Sequence, residues 1–452
     1  MAMTLKIVGG GLAGCEAAWQ AAIRGIDVEL FEMRPGKMTG AHRTGDLGEL
    51  VCSNSLGSDR PNRASGLLKA ELRRLGSLLI ACADASSLPA GGALAVDREA
   101  FSHQIQQKLE SHANIRLIRH EVTEIPDSPA ILASGPLTSP ALSEAIAAFT
   151  GEDQLYFYDA IAPIVRRDSI DMSIAFRANR YGDLDGEEEG DYLNCPLDVG
   201  QYRAFREALL TAERIPLKAF ETEIDSGVKA GWDHFFQGCQ PVEVIASRGE
   251  KALAFGPMRP VGLTDPRTGR WPFAAVQLRQ DNLAGDYYNL VGFQTNLTYG
   301  EQARVFRMIP GLEDAIFVRY GQMHRNTFIA SPALLDDALA FRAQPGLFVA
   351  GQLAGVEGYA GNIASGLLAG INAVNFMQGK TPLALPLTTM TGALLHYIVH
   401  AELENFQPTK AMFGLLPKPV DGVRRSKRQR FELYSERALN DLDTFLTRDG
   451  LN

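Results

Sequence analysis

Cysteine is scarce in this sequence: five residues in 452, at positions 15, 52, 82, 195 and 239. The odd number and wide spacing exclude a dense disulfide framework and point to a reducing compartment. There is no Cys-x-x-Cys pair and the eight histidines do not cluster along the chain, so no metal is expected. No apolar run reaches the roughly 18 residues of a membrane span, and the opening MAMTLKIVGGG lacks the features of a secretory signal. Positive charge is not in excess. The 44 Lys and Arg against 53 Asp and Glu give a net charge of -9, which excludes a uniformly basic surface but not a local basic patch. No internal repeat of roughly 20 to 50 residues is present. A composition 46% hydrophobic and 21% charged suits a chain with large buried cores. The expectation is a cytoplasmic protein with no membrane segment and no metal.

What the chain does carry is glycine in a particular order. Leu5–Val8 reads as a short strand, Gly9-x-Gly11-x-x-Gly14 follows, Leu12–Ile23 has helical spacing, and Ile26–Phe31 reads as a second strand closed by Glu32. In such a βαβ unit the first glycine allows the tight turn and the second lets a pyrophosphate approach. The third lets helix and strand pack, and the acidic residue binds ribose hydroxyls. FAD is favoured over NAD by a late segment. Val349-Ala-Gly351, then Ser365-Gly366, offers a second glycine-bounded strand and helix start, as a large, tightly held cofactor requires.

The rest of the chain divides by texture. Met33–Ser65 is rich in Gly, Ser, Asn, Asp and Arg and reads as a functional irregular stretch. Leu67–Ala83 and Ala141–Phe149 read as helices. Residues 165–331 have more aromatics and proline and short alternating runs such as Val242–Ala246 and Tyr288–Phe293, with an acidic surface loop at Asp183–Asp191. Gly361–Met377 reads as a long helix packed through small residues. The expected fold is α/β: a Rossmann-like FAD-binding domain of the glutathione-reductase type, with an inserted α+β domain. Residues 1–164 begin the FAD-binding domain, 165–331 form the insertion, and 332–452 complete the first domain and add C-terminal helices. The last part carries the basic run Arg424, Arg425, Lys427, Arg428, Arg430.

Several segments together resemble one family. Among them are KIVGGGLAGCEAAWQAA, ELVCSNSLGSD, SGLLKAELRRLGSLL, PAGGALAVDREAFS, FFQGCQPVEVIASRG, FGPMRPVGL, GVEGYAGNIASGLLAGINA and FQPTKAMFGLLP. They are similar to the folate- and FAD-dependent tRNA (uracil-5-)-methyltransferases, across nearly the whole chain. The resemblance implies methylation of the T-loop uridine of tRNA, with carbon from methylenetetrahydrofolate and reducing power from NADPH or NADH. This sequence departs from the family in having Ser134 for a usual Thr and Gly57 for a usual basic residue. Ala360-Gly-Asn362 also replaces a more acidic segment. Methylation of a ribosomal uridine by the same chemistry, and an RNA-binding flavoprotein without methyl transfer, remain as alternatives. A related flavoprotein class that adds aminomethyl groups at wobble uridines has longer chains.

The implied chemistry needs a nucleophile and a base. A thiolate added to carbon 6 of uracil makes carbon 5 reactive, and a second group removes the carbon 5 proton. Cys239, in a Gly-Cys-Gln-Pro turn leading into a strand, is the expected nucleophile. Cys52, in the irregular stretch near the flavin, is the expected second catalytic thiol, as the base or as a guard of the methylated flavin. Cys15 and Cys82 read as buried apolar residues, and Cys195 is left open. Arg248 and His42 are candidates to tune the thiols. His42 and Gly351 are placed at the flavin, and the backbone N–H groups of Asn362 and Ile363, opening the late helix, are expected to meet it. Glu243 is read on a strand near the uracil, and Arg259 as a site for a folate glutamate or a phosphate. The basic run is the expected RNA contact, with Phe406, Phe413, Lys410 and Lys418 beside it.

Overall fold

The computed structural model describes residues 3–151, 155–180, 190–215, 240–418 and 426–448. The chain opens with strand Leu5–Val8, glycine turn, helix Leu12–Ala22 and strand Val28–Phe31. These join a five-stranded sheet in the order 347–349, 130–132, 5–8, 28–31, 115–118. All of its pairings are parallel. The edge strand Leu347–Val349 comes from late in the chain, so this sheet is completed only after the six-stranded one.

A parallel sheet is buried on both faces, and its cover here is built around small residues. The late helix, Tyr359–Met377, lies against Leu12–Ala22. A Cβ on Gly366 would stand 2.2 Å from the Ala13 carbonyl oxygen, and one on Gly370 would stand 2.7 Å from that of Ala17. Only glycine lets these backbones approach so closely. Two buried carboxylates cap neighbouring helices. Glu71 accepts from the Met390 and Thr391 N–H groups and the Thr391 hydroxyl at 2.7–2.8 Å, at the start of helix Met390–His400. Glu16 accepts from the Leu79 N–H at 3.0 Å and the Ser77 hydroxyl at 2.8 Å, at the start of Leu78–Ala85. The run read as one helix over Leu67–Ala83 is two, Ala64–Arg74 and Leu78–Ala85, parted at Gly76 with φ 71°.

The larger hydrophobic core draws on Leu5 to Ile146 and again on Phe328 to Leu446. A second core spans Val165 to Ala315, under a six-stranded sheet in the order 176–177, 192–197, 274–280, 287–290, 164–166, 317–319. The strands leaving and re-entering the first body, Leu155–Ala160 and Met323–Phe328, pair antiparallel. Among the described residues, no helix is long and apolar enough to cross a membrane. The α/β reading with a Rossmann-like sheet holds.

A second element differs from its reading. Val242–Ser247 is a helix, not an alternating strand. Pro241 stands at its N-cap with φ -55°, pre-set for a helix start. Val242, Glu243 and Ala246 are buried, which is a helical face; a run of five residues fits either period. Glu243 is therefore no strand-surface carboxylate. It accepts from the Thr295 hydroxyl at 2.9 Å and the Asn296 N–H at 2.7 Å, bracing the helix against that loop. Burial pushes its pKa up.

Candidate functional site: a dinucleotide cleft and the Cys52 loop

An open cleft with about 1020 Å³ of empty space lies at the carboxyl ends of the parallel strands, where open α/β sheets place their ligands. Gly9, Gly11, Glu32, His42, Gly351 and Asn362 all line it. The three motif glycines have separable duties. Gly9 has φ 110°, and its added Cβ would meet the Ala133 carbonyl oxygen at 2.3 Å; one on Gly14 would meet the Gly9 oxygen at 1.9 Å. These two are fixed by packing. Gly11 has nothing within 4 Å of an added Cβ and stands at the helix N-cap without a side-chain cap. The open space and uncapped N–H groups suit a pyrophosphate.

Glu32 lines the same cleft, 6% exposed. Its Oε2 accepts from the Gly10 N–H at 2.9 Å, and Oε1 from the Arg34 Nε at 2.9 Å. Burial raises its pKa, but the Arg34 hydrogen bonds and charge outweigh that and hold the carboxyl below its usual range. An ionised, acceptor-only carboxylate is what ribose hydroxyls need. Arg34, 1% exposed, also reaches Glu49 at 3.0 Å. His42 Nδ1 lies 2.6 Å from the Thr39 hydroxyl. Gly351, φ 78°, gives its N–H to the Ser365 hydroxyl at 2.8 Å.

The late helix starts earlier than expected, at Tyr359 with Gly358 as N-cap. The Asn362 N–H is committed to the Gly358 carbonyl at 2.9 Å, so Asn362 meets the cleft with its side chain. Ile363 is fully buried in the core and does not line the cleft. Tyr359, which opens this turn, lines the cleft beside Asn362.

Tyr359 connects the cleft to Cys52. Its hydroxyl accepts the Cys52 N–H at 2.8 Å. The loop around Cys52 is gripped by arginines from distant segments. Arg98 donates to the Leu50 carbonyl at 2.5 Å and the Cys52 carbonyl at 2.8 Å, and pairs with Asp281 at 3.0 Å. Arg319, from the edge strand of the six-stranded sheet, donates to the Val51 carbonyl at 2.5 Å. Arg279 donates to Asn54 at 2.9 Å. Burial, then the charges of Arg98 and Arg43, pull Arg319 down to about 10, still cationic at neutral pH. Cys52 is partly exposed and lies within electrostatic reach of Arg98, Arg279 and Arg319.

Cys15, Cys82 and Cys195 are buried, and burial first of all pushes their thiols up, Cys82 to about 11 and Cys195 to about 12. They are packing residues, which resolves Cys195. Cys239 lies outside the described residues, as do Arg424, Arg425 and the first part of the acidic loop. Arg248 ends the short helix after Pro241, exposed and away from the cleft lining. Arg259 donates to the Phe255 carbonyl at 2.7 Å and does not line the cleft either.

Lys427 begins the helix Lys427–Arg448, on which Arg428 and Arg430 are exposed. Arg428 pairs with Glu432 at 2.9 Å, one turn on. The neighbouring aromatics do not face outward as expected for base stacking. Phe406 is 5% exposed and fills the space over Gly355; Phe413 is 8% exposed and stacks on Phe431 with centroids 4.4 Å apart. An aromatic side chain beside a basic run is a misleading signal: Phe413 packs on Phe431 and Tyr434 of the C-terminal helix, and Phe406 packs on Phe328 in the core.

Sequence reasoning missed Arg98, Arg279, Asp281, Arg319 and Tyr359. Their partners lie 46 to 307 residues away, beyond any local pattern. Arg98 and Tyr359 do sit inside two of the segments that carry the family resemblance.

Comparison with known proteins agrees with this geometry. The family described as "Glucose inhibited division protein A" matches residues 4–381. The methylenetetrahydrofolate--tRNA-(uracil-5-)-methyltransferase TrmFO of Heliobacterium modesticaldum is 56% identical over 448 residues, covering 99% of each chain. That of Moorella thermoacetica is 56% identical over 434 residues, covering 96% of each. The chain belongs to this methyltransferase family. Among solved structures, GidA of Aquifex aeolicus in its form II crystal superposes with a TM-score of 0.69 at 17% identity. It covers 99% of this chain and 74% of the GidA chain, a likeness of fold alone. Membership accords with the cofactor cleft and leaves the roles of individual residues to be argued from position.

Proposed function

We infer that the protein transfers a one-carbon unit from methylenetetrahydrofolate to carbon 5 of a uridine in tRNA, giving 5-methyluridine. FAD is the cofactor, and NADPH or NADH the reductant. The observation that carries the reading is the Tyr359 link: this residue lines the dinucleotide cleft and its hydroxyl holds the Cys52 backbone at 2.8 Å. A thiol tied to the rim of a flavin site in cationic surroundings fits methyl-transfer chemistry better than passive binding. The full-length relatives, whose names specify tRNA and uracil, support the same substrate.

Bound in the cleft, the flavin supplies one-carbon transfer and the hydride that completes a methyl group. The chain supplies the rest. Gly11 and the following N–H groups take the pyrophosphate, Glu32 the ribose, and Asn362 with Tyr359 the far side of the cleft. The Cys239 thiolate bonds to carbon 6 of the uracil and makes carbon 5 nucleophilic. Cys52 accepts the carbon 5 proton, and departure of the Cys239 sulfur restores the ring. Arg98 and Arg319 hold the Cys52 loop in place. The division into 1–164, 165–331 and 332–452 puts Arg279, Asp281 and Arg319 on the inserted unit, so the Cys52 loop, which belongs to the first unit, is held from both. The target is the T-loop uridine, flipped out of its stack to reach the thiols. Arg424, Arg425, Lys427, Arg428 and Arg430 contact phosphates, so binding weakens steeply with salt. Cytoplasmic residence fits the scarce cysteines.

The test is transfer of label from methylenetetrahydrofolate to an unmodified tRNA transcript with purified protein and reduced nicotinamide. Label in 5-methyluridine, lost in Cys239→Ala, is expected. A methyl group drawn from S-adenosylmethionine instead contradicts the reading.

A further inference from the structure

Two of the histidines, His396 and His400, are brought by the fold to one carboxylate, and none of the three residues lines the cleft. His396 and His400 are four residues apart on helix Met390–His400, so both imidazoles stand on one face. Their ring centroids are 4.0 Å apart. Asp337, just past the short helix Ser331–Leu334, reaches both. Its Oδ1 is 2.6 Å from His400 Nε2 and 3.9 Å from His396 Nδ1. One ligand atom from each of the three lies within 4.8 Å of the others.

We propose that Asp337, His396 and His400 form a binding site for a late first-row divalent cation of the zinc class. Two imidazole nitrogens and one carboxylate oxygen suit zinc, cobalt or nickel; magnesium and calcium prefer all-oxygen sites. Ligands held tetrahedrally about 2.1 Å from one ion stand roughly 3.4 Å apart. The present 2.6 and 3.9 Å straddle that separation, so small side-chain rotations bring all three to one point. Both supports are fixed beforehand. Asp336 Oδ1 accepts the Ala338 and Ala340 N–H groups at 2.9 Å, setting the turn that carries Asp337. Glu71 and Thr389 cap the helix that carries the histidines. Little ordering is then left for the ion to impose. The Asp337 side chain is 64% exposed and the histidines 45%, which leaves water the remaining coordination positions. The ion would clip this helix to the turn that follows the returning strand Met323–Phe328. It would replace the present contact between His400 Nε2 and Asp337 Oδ1.

The test is zinc titration of the purified, FAD-loaded full-length protein at neutral pH, by calorimetry and thermal melting. One saturable equivalent that raises Tm is expected. His396→Ala and His400→Ala should each weaken binding about tenfold or more, and Asp337→Asn less. All three should keep flavin absorbance and far-UV circular dichroism, which separates loss of the site from loss of the fold. Cys52→Ala and Cys239→Ala should titrate like the parent, which removes the thiols as the ligands. Absence of saturable binding, zinc binding unchanged in the histidine variants, or equal competition by magnesium would overturn the proposal.

Discussion

The cofactor cleft and the Cys52 loop are neighbours built by opposite means. The cleft is backbone geometry. Gly9 and Gly14 permit contacts that a Cβ would forbid, and Gly366 and Gly370 seat the late helix on the first one. The Cys52 loop is held by side chains reaching backbone carbonyls: Arg98 to Leu50 and Cys52, Arg319 to Val51. The first kind of construction tolerates no added atom. The second loses its hold when one guanidinium is removed.

Substitutions at the glycines should break the comparison most sharply. Gly14→Ala places a Cβ 1.9 Å from the Gly9 oxygen, and a destabilisation of about 3 kcal/mol or more is expected. Gly11→Ala meets open space, so its Tm should stay near that of the parent while FAD affinity falls. Thermal melting with flavin content measured on both variants checks this; equal Tm losses would erase the distinction between packing and ligand glycines.

On the other side, Arg98→Ala strands the buried Asp281 carboxylate and frees two carbonyls of the Cys52 loop. A cost of about 3 kcal/mol is expected in denaturant unfolding. Methyl transfer should fall more than FAD content. Arg98→Lys should rescue poorly, because one ammonium cannot replace a fork that spans Asp281 and two carbonyls.

A smaller effect sharpens the energetic contrast. Burial raises Glu71 from the ordinary carboxylate range to about 7, against the hydrogen bonds of Met390 and Thr391 that lower it. Its folded pKa thus lies above its unfolded one, and the folded state binds the extra proton. The resulting stabilisation is full below about pH 4.5 and is lost as pH rises through about 7. The parent should therefore lose stability between pH 5 and 8 relative to Glu71→Gln, by on the order of 1 kcal/mol. Parallel Tm profiles for the two proteins would contradict this.

The smallest effect is chemical. In the folded protein at pH 8, a thiol reagent should leave Cys15, Cys82 and Cys195 unmodified and label Cys52. Peptide mapping reads the outcome, and labelling of Cys195 ahead of Cys52 would reverse the assignment.

The same contrast explains what the sequence made legible. A glycine that permits a backbone contact leaves a local mark, so the turn at Gly9–Gly14, Glu32 and the Gly351 bend are visible in a few consecutive residues. An arginine that reaches a carbonyl across the chain leaves none. Arg319 looks like any strand residue until the edge strand is set against Val51. Short alternating runs mislead for a related reason: Val242–Ala246 fits two periods, and Pro241 decides between them. Phe413 beside a basic run looked like a base-stacking residue because sequence carries charge but not the Phe431 ring that covers it.

In the proposed mechanism, Cys52 is held at the flavin cleft to take part in transfer. Single-turnover methyl transfer to tRNA by Cys52→Ala, with FAD content measured in the same sample, tests it most directly. Full FAD occupancy with transfer slowed by about a hundredfold or more is expected. Transfer at the parent's rate with FAD in place would contradict it.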